Sequence, residues 1–221
     1  DMNKNKLCNL LDVGGGAGLI LKGVADYLRK KGLKVNKNAL DLSKDMINIT
    51  KKNNPDLKKF YLASIKDTNF KNKEINLCLL IDVIEHIPQP EEALKEVKRI
   101  SKYALIKVPL ERNFLDDIIN LFTFNKMNKM RKEQLGHINY FNVFKIRRLI
   151  KKFGYIECEN YTNSWELYLS RKKRISFIKK LYYYPRWHLS KILSKISLAL
   201  SAFFFLDFYV ALIRCKEFDN N

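Results

Sequence analysis

The sequence predicts an α/β fold, a mostly parallel sheet with helices on both faces. Three observations carry that expectation. Strand-like and helix-like segments alternate from residue 7 onward. A glycine-rich turn containing Gly14, Gly16 and Gly18 joins the first strand to the first helix. The runs Ile75–Ile81 and Phe208–Cys215 are apolar at successive positions, as strands covered on both faces are.

Taken in order, Leu7–Val13 reads as the first strand and residues 19–31 as the first helix. Residues 35–42 form a second strand with Asp41 near its end, and Ser43 is placed to cap a helix over Lys44–Asn53. Residues 60–64 make a short strand, and Ile75–Ile81 the fourth. Residues 90–101 follow as a helix with Leu94, Val97 and Lys98 turned inward. Residues 103–108 form the fifth strand, closed by Pro109. Residues 113–134 read as helical but break the pattern, mixing Phe114, Leu121, Phe122, Phe124 and Met127 with Lys and Arg. A helix over 144–153 shows Ile146, Leu149, Ile150 and Phe153 on one face and stops at Gly154. Residues 155–169 read as a long strand interrupted near Asn163, and Phe208–Cys215 as a buried last strand. A short hairpin would join these two, yet residues 171–206 lie between them. We read residues 1–221 as one domain with a basic, aromatic helical insertion at 171–206.

A chain of 221 residues can bury one sizeable core, and a hydrophobic fraction of 47% suits a globular protein. The net charge of +19 is unusual. Asn and Ile are abundant beside Lys, so base composition can account for part of it. The charge still favours anionic partners, nucleic acid or lipid headgroups. Cys8, Cys78, Cys158 and Cys215 lie far apart with no Cys-x-x-Cys pair. They read as four buried thiols in a reducing cytosol. No secretory signal is visible.

Glycines at alternate positions allow a tight turn with positive φ and let backbone N–H groups approach a ligand. A dinucleotide fingerprint would need a further glycine at Leu19 or Leu21, and a P-loop would need Gly-Lys-Ser/Thr. What remains is Asp-x-Gly-x-Gly-x-Gly, headed by Asp12. The alternative is a strand-to-helix turn that binds nothing. Asp41 lies 23 residues after Gly18 at a strand end, where a carboxylate can accept from both hydroxyls of a ribose. Its alternative is a turn or capping aspartate.

The Asp12 to Gly18 pattern resembles the first motif of class I S-adenosylmethionine (SAM) methyltransferases. In that family the glycines make room for an amino-acid tail, and an acidic residue sits by its ammonium group. The stretch INLCLLIDVIEHIPQPEEALKE, from Ile75 to Glu96, resembles the signature after strand four in methyltransferases of the ubiquinone-biosynthesis O-methyltransferase type. Gly136-His137-Ile138-Asn139-Tyr140-Phe141 resembles a second element of that group. The resemblance covers about residues 7–157 and the last strand. It implies a Rossmann-like sheet of seven strands with the last antiparallel, and SAM as cofactor. It also implies SAM contacts at Asp12, Gly14, Gly16, Gly18, Asp41, Ser64, Ile65 and Asp82. Relatives carry an Asp where Ser64 stands, so adenine contact passes to the weaker hydroxyl or to the backbone near Ile65. Relatives also carry helices before strand one, which implies a missing N-terminal portion.

Methyl transfer needs acceptor, methyl and sulfur in line, water excluded and, for some acceptors, a proton removed. His86, His137 and Glu85 are the catalytic candidates. Asp82, Glu85 and His86 also match an acid-x-x-Glu-His cluster that holds a divalent metal in ubiquinone-pathway and small-RNA 2′-O-methyltransferases. The other reading is that Glu85 and His86 only order the loop over SAM. His188 reads as a surface or interface residue. Neither the amino-methylating Asn-Pro-Pro-Tyr sequence nor a Pro-Cys nucleophile is present, which argues for an oxygen or simple nitrogen acceptor.

Residues 171–195 hold nine Lys/Arg and no acid, interleaved with Phe177, Tyr182, Tyr183, Tyr184 and Trp187. Leu189, Ile192, Leu193, Ile196 and Leu200 follow as a helical stripe. Such a helix suits an anionic membrane surface. The same residues could hold RNA by phosphate contact and stacking, or cap the substrate pocket as a lid. The eleven apolar or small residues 196–206 fall short of the roughly 20 that a membrane span needs. The expectation is a cytoplasmic methyltransferase, peripheral at the inner membrane face, acting at oxygen on a small-molecule or lipid- or glycan-linked acceptor. An RNA methyltransferase and a non-catalytic SAM-binding protein are the alternatives.

Overall fold

The computed structural model describes residues 6–110, 121–122, 133, 135–162, 177–204 and 208–217. Its strands are β1 (Leu7–Val13), β2 (Lys34–Asp41), β3 (Leu57–Leu62), β4 (Ile75–Ile81), β5 (Ser101–Pro109), β6 (Gly154–Thr162) and β7 (Phe208–Cys215). Its helices are α1 (Leu19–Lys30), α2 (Lys44–Asn53), α3 (Pro90–Ile100), α4 (Val143–Phe153), α5 (Phe177–Ile196) and α6 (Leu198–Phe204). The strands form one sheet in the order β3-β2-β1-β4-β5-β7-β6. Neighbours are parallel except β7, which runs antiparallel to β5 and β6. This is the seven-stranded, mostly parallel sheet with an antiparallel last strand that the sequence predicts.

Side chains alternate across a strand, so each central strand feeds two cores. Leu10, Ala39 and Leu79 point to one face, where Leu21 and Ala25 of α1 and Ile47 of α2 cover them. Leu11, Leu80, Ile106 and Tyr209 point to the other, under Leu94 and Val97 of α3 and Ile146 and Ile150 of α4. Each Leu, Ile or Val among them gains about 1.5–3 kcal/mol on burial.

Side-chain caps open α2 and α4. The Ser43 hydroxyl accepts from the Met46 N–H, and Asn142 does the same for the Lys145 N–H. β3 begins at Leu57, three residues earlier than the sequence suggests, and Ser64 lies just beyond its end. This is an edge strand with an exposed pattern, so periodicity marks it poorly. On α3 the inward stripe is Ala93, Leu94, Val97 and Ile100, while Lys98 is only half-buried. Gly154 ends α4 and opens β6, because a Cβ there would lie 2.9 Å from the Arg214 carbonyl. The cysteine expectation needs one correction. Cys8, Cys78 and Cys215 are buried, but Cys158 is exposed, since β6 is the sheet edge. The helix expected over 113–134 and the strand extension past Thr162 fall largely outside the described residues.

Parallel strands put their C-terminal ends on one edge. The glycine loop, Asp41, Ser64 and Asp82 all follow strand ends there. β7 enters the sheet at that same edge, with Phe208 opposite both Pro109 and Thr162.

Candidate active site

The loop after β1 is built from left-handed backbone. Gly14, Gly16 and Gly18 have φ of 60°, 55° and 69°. Their surroundings differ. Among the described residues nothing lies within 4 Å of where a Cβ would sit on Gly16, so this turn is open on that side. A Cβ on Gly18 would lie 2.7 Å from Asn54 Nδ2, so Gly18 lets α2 pack against the loop. A Cβ on Gly15 would lie 1.9 Å from Asp12 Oδ2. Gly15 is therefore obligatory as well, and alternate spacing concealed it. The triple glycine was the available signal.

Asp12 is 1% exposed, and neither carboxylate oxygen has a hydrogen-bond partner among the described residues. Burial, and then the charge of Asp41, push its carboxyl up to about 7. An unpaired carboxylate in such a place is costly unless a cation meets it.

The loop's far side is clamped by the last turn of α2. Thr50 Oγ1 donates to the Gly16 carbonyl at 2.7 Å, Asn53 Nδ2 to the Ala17 carbonyl at 2.8 Å, and Asn54 Nδ2 to the Gly18 carbonyl at 3.0 Å. Asn54 is itself fixed by the buried Lys37, whose Nζ donates to Asn54 Oδ1 at 2.7 Å. None of these four residues stood out in the sequence.

Beside the loop lies a cavity of about 190 Å³ lined by Gly14, Asp41, Leu42, Ser64, Ile65 and His86 among others. Asp41 Oδ1 accepts from the Ser43 N–H at 2.8 Å. Ser64 Oγ accepts from the Lys66 N–H at 3.2 Å, leaving its proton to donate. Leu42 is 77% exposed at the rim, an apolar surface suited to a flat ring. The wall is thus polar at Asp41 and Ser64 and apolar at Leu42 and Ile65.

On the other side, the turn Ile84–His86 is tied to residues 136–139. Ile138 N–H and Asn139 N–H both donate to the Glu85 carbonyl at 3.0 Å. Asn139 Nδ2 donates to the Ile84 and Ile87 carbonyls. His86 Nδ1 lies 3.2 Å from the Gly136 carbonyl, and the His86 and His137 rings meet edge to face at 4.9 Å. A Glu85 carboxylate oxygen and one ring nitrogen of each histidine lie within 4.8 Å of one another. Glu85 is fully buried, while His86 is exposed at the cavity.

Asp82 does not join that cluster. It has positive φ, 55°, and its Oδ1 accepts from Lys107 Nζ at 2.7 Å. Of the trio matching the acid-x-x-Glu-His cluster, Glu85 and His86 come together with His137, and Asp82 turns to Lys107. His188 is exposed, on α5.

A seven-stranded sheet of this order, with a glycine turn after β1 and an acidic residue after β2, defines a class I SAM-dependent methyltransferase. The profile of the methyltransferase-domain family matches residues 3–156, and the chain belongs to that family. It is 26% identical over 127 residues to the ubiquinone/menaquinone biosynthesis C-methyltransferase UbiE of Rickettsia bellii, covering 53% of this chain and 51% of that protein. The chain thus spans about half the length of the curated relatives it matches. Among solved structures, the PH0226 protein of Pyrococcus horikoshii superposes with a TM-score of 0.55 at 16% identity, over 97% of this chain and 84% of that one. Phosphoethanolamine N-methyltransferase 2 of Haemonchus contortus in complex with SAM gives 0.58 at 15% identity, over 98% of this chain and 50% of that one.

Proposed function

We propose that this chain methylates a small-molecule or lipid-linked acceptor at oxygen, with SAM held by Asp12, the glycine loop, Asp41, Ser64 and Ile65. The observation that carries the reading is Asp12, whose two buried oxygens lack partners beside the open turn at Gly16. A cationic amino-acid tail fits both features. When bound, SAM supplies a methyl group on an electrophilic sulfonium. The chain's own residues do the rest. Asp12 meets the tail's positive charge, and Gly16 leaves room for the tail. The free oxygen of Asp41 accepts from ribose hydroxyls, and the cavity behind Leu42 receives the base.

His86 is the proposed general base. With Nδ1–H donating to the Gly136 carbonyl, Nε2 keeps its lone pair for the acceptor's proton. His137 stands edge-on to it, and a Glu85 carboxylate oxygen lies within 4.8 Å of a ring nitrogen of each histidine. The same three side chains have the chemistry of divalent-metal ligands, and a chelator decides between the roles. Asp82 acts through Lys107 to shape the loop after β4.

A carbon acceptor is the second reading, favoured by the likeness to the R. bellii C-methyltransferase. Gly16→Val and Asp41→Ala should each weaken SAM binding at least tenfold in calorimetry, about 1.4 kcal/mol. Unchanged affinity in both sinks the cofactor assignment. His86→Ala should lose turnover while still binding SAM. Loss of wild-type activity in chelator would move His86 from base to metal ligand. Label released as iodomethane by hot hydriodic acid would mark an O-methyl product, and label that resists it a C-methyl one.

A further inference from the structure

The insertion places an unusual surface at the cofactor edge of the sheet. Leu189, Ile192 and Ile196 lie three and four residues apart on α5, hence on one helical face. They are 47%, 58% and 73% exposed, so that face is not packed over a pocket among the described residues. The helix turns a different face to α6, where the buried Ser201 Oγ donates to the Ser190 carbonyl at 3.0 Å. Ala202 of α6 is buried in the main core, so the pair is anchored to the body. Flanking the apolar stripe is a second band of Tyr184, His188, Lys191 and Lys195. Lys191 Nζ sits 3.9 Å over the Trp187 ring, and Trp187 packs edge to face on His188 at 4.7 Å. No helix among the described residues is long and apolar enough to cross a membrane.

We propose that α5 lies flat on an anionic lipid surface, with Leu189, Ile192 and Ile196 sunk among acyl chains and Lys191 and Lys195 at the headgroups. Charge complementarity selects this partner. Residues 171–195 carry nine cations and no acid, and an apolar stripe next to a cationic band matches the two layers of a bilayer interface. Nucleic acid would meet the cations but leave the aliphatic stripe in water. Topology gives the docking a purpose. The insertion enters β7 at Phe208, on the edge that carries the glycine loop. Lys107 joins the two places, with Nζ 4.2 Å over the Phe208 ring and bonded to Asp82. Docking through α5 therefore holds the cofactor edge near the lipid, where a membrane-held acceptor is met. That last consequence rests on the methyl-transfer reading, whereas the surface itself does not.

The test is cosedimentation of the full chain with phosphatidylcholine vesicles, with and without about one-third phosphatidylglycerol as the anionic lipid. Two variants accompany it, Ile192→Ser with Ile196→Ser, and Lys191→Glu with Lys195→Glu. Wild type should bind the anionic vesicles, and each variant should lose at least tenfold. SAM affinity, measured by calorimetry, should stay unchanged in both and so exclude misfolding. Wild type that ignores anionic vesicles at low salt overturns the proposal. Loss in the lysine variant alone also overturns it, since charge attraction without the stripe is not docking. A gel shift of single-stranded RNA without vesicle binding would assign the cations to nucleic acid instead. Failure of wild type to bind SAM would count against the methyl-transfer reading and leave the docking result standing.

Discussion

Asp12 sets the pH behaviour of the site. Its carboxyl titrates at about 7 in the folded chain, against an ordinary value near 4 when unfolded. Between those values the folded protein holds a proton that the unfolded chain has released. Stability from this group is therefore full below about pH 4 and is lost as pH rises through 7, on the order of 4 kcal/mol. Asp12→Asn should flatten that slope, and thermal unfolding across pH 4 to 8 measures it. Parallel curves for variant and wild type would refute the assignment. Binding of a cationic tail should reverse the preference, because it needs the ionised carboxylate. At pH 6, SAM binding should then release a proton, seen as a buffer-dependent calorimetric enthalpy. Asp12 was legible in the sequence as the head of a glycine motif. Its lack of partners was not, because that depends on what the folded loop leaves around it. Gly15 was equally hidden, since only the fold of the Asp12 carboxylate across the turn makes it obligatory.

The elements that stood out in the sequence are those with internal periodicity. β1, α2, β4 and β7 occupy the expected spans because each is bounded by its own caps or turns. β3 was displaced because it is an exposed edge with little alternation to read. The clamp between α2 and the glycine loop was missed for a different reason. Lys37 reads as an ordinary strand lysine, yet it is 2% exposed and meets Asn54 and Asp56, both on the far side of α2. Burial pushes the Asp56 carboxyl up, but hydrogen bonds from Lys37 and Arg29 outweigh it and hold it at about 2. Such a pairing has no local signature. Asn54→Ala would strip the Lys37 ammonium of one partner and free the Gly18 carbonyl. It should cost about 2–4 kcal/mol in urea unfolding, with weaker SAM binding as the loop relaxes. A loss under about 1 kcal/mol would show that Asp56 alone suffices for Lys37.

Across the whole molecule, charge is the least balanced property. Even if each of the 23 acids paired with a cation, the 42 Lys and Arg would leave a net +19. The ion pairs that form are mostly surface ones, such as Lys152 with Glu91 and Arg214 with Glu157. Each is worth at most about 1 kcal/mol and is weakened by salt. Repulsion among the surplus cations acts in the opposite direction and is also screened. The two effects can be weighed. The exposed pairs among the described residues are individually weak, whereas the surplus acts between many groups within a Debye length of about 10 Å at 0.1 M salt. Repulsion should dominate, so salt should stabilise the fold. The midpoint of thermal unfolding should rise by several degrees between about 0.05 and 0.5 M sodium chloride at fixed pH. Polyanions at much lower concentration should give the same rise, because they gather where the cations are densest. A midpoint that falls with salt would mean that the surface pairs outweigh the repulsion.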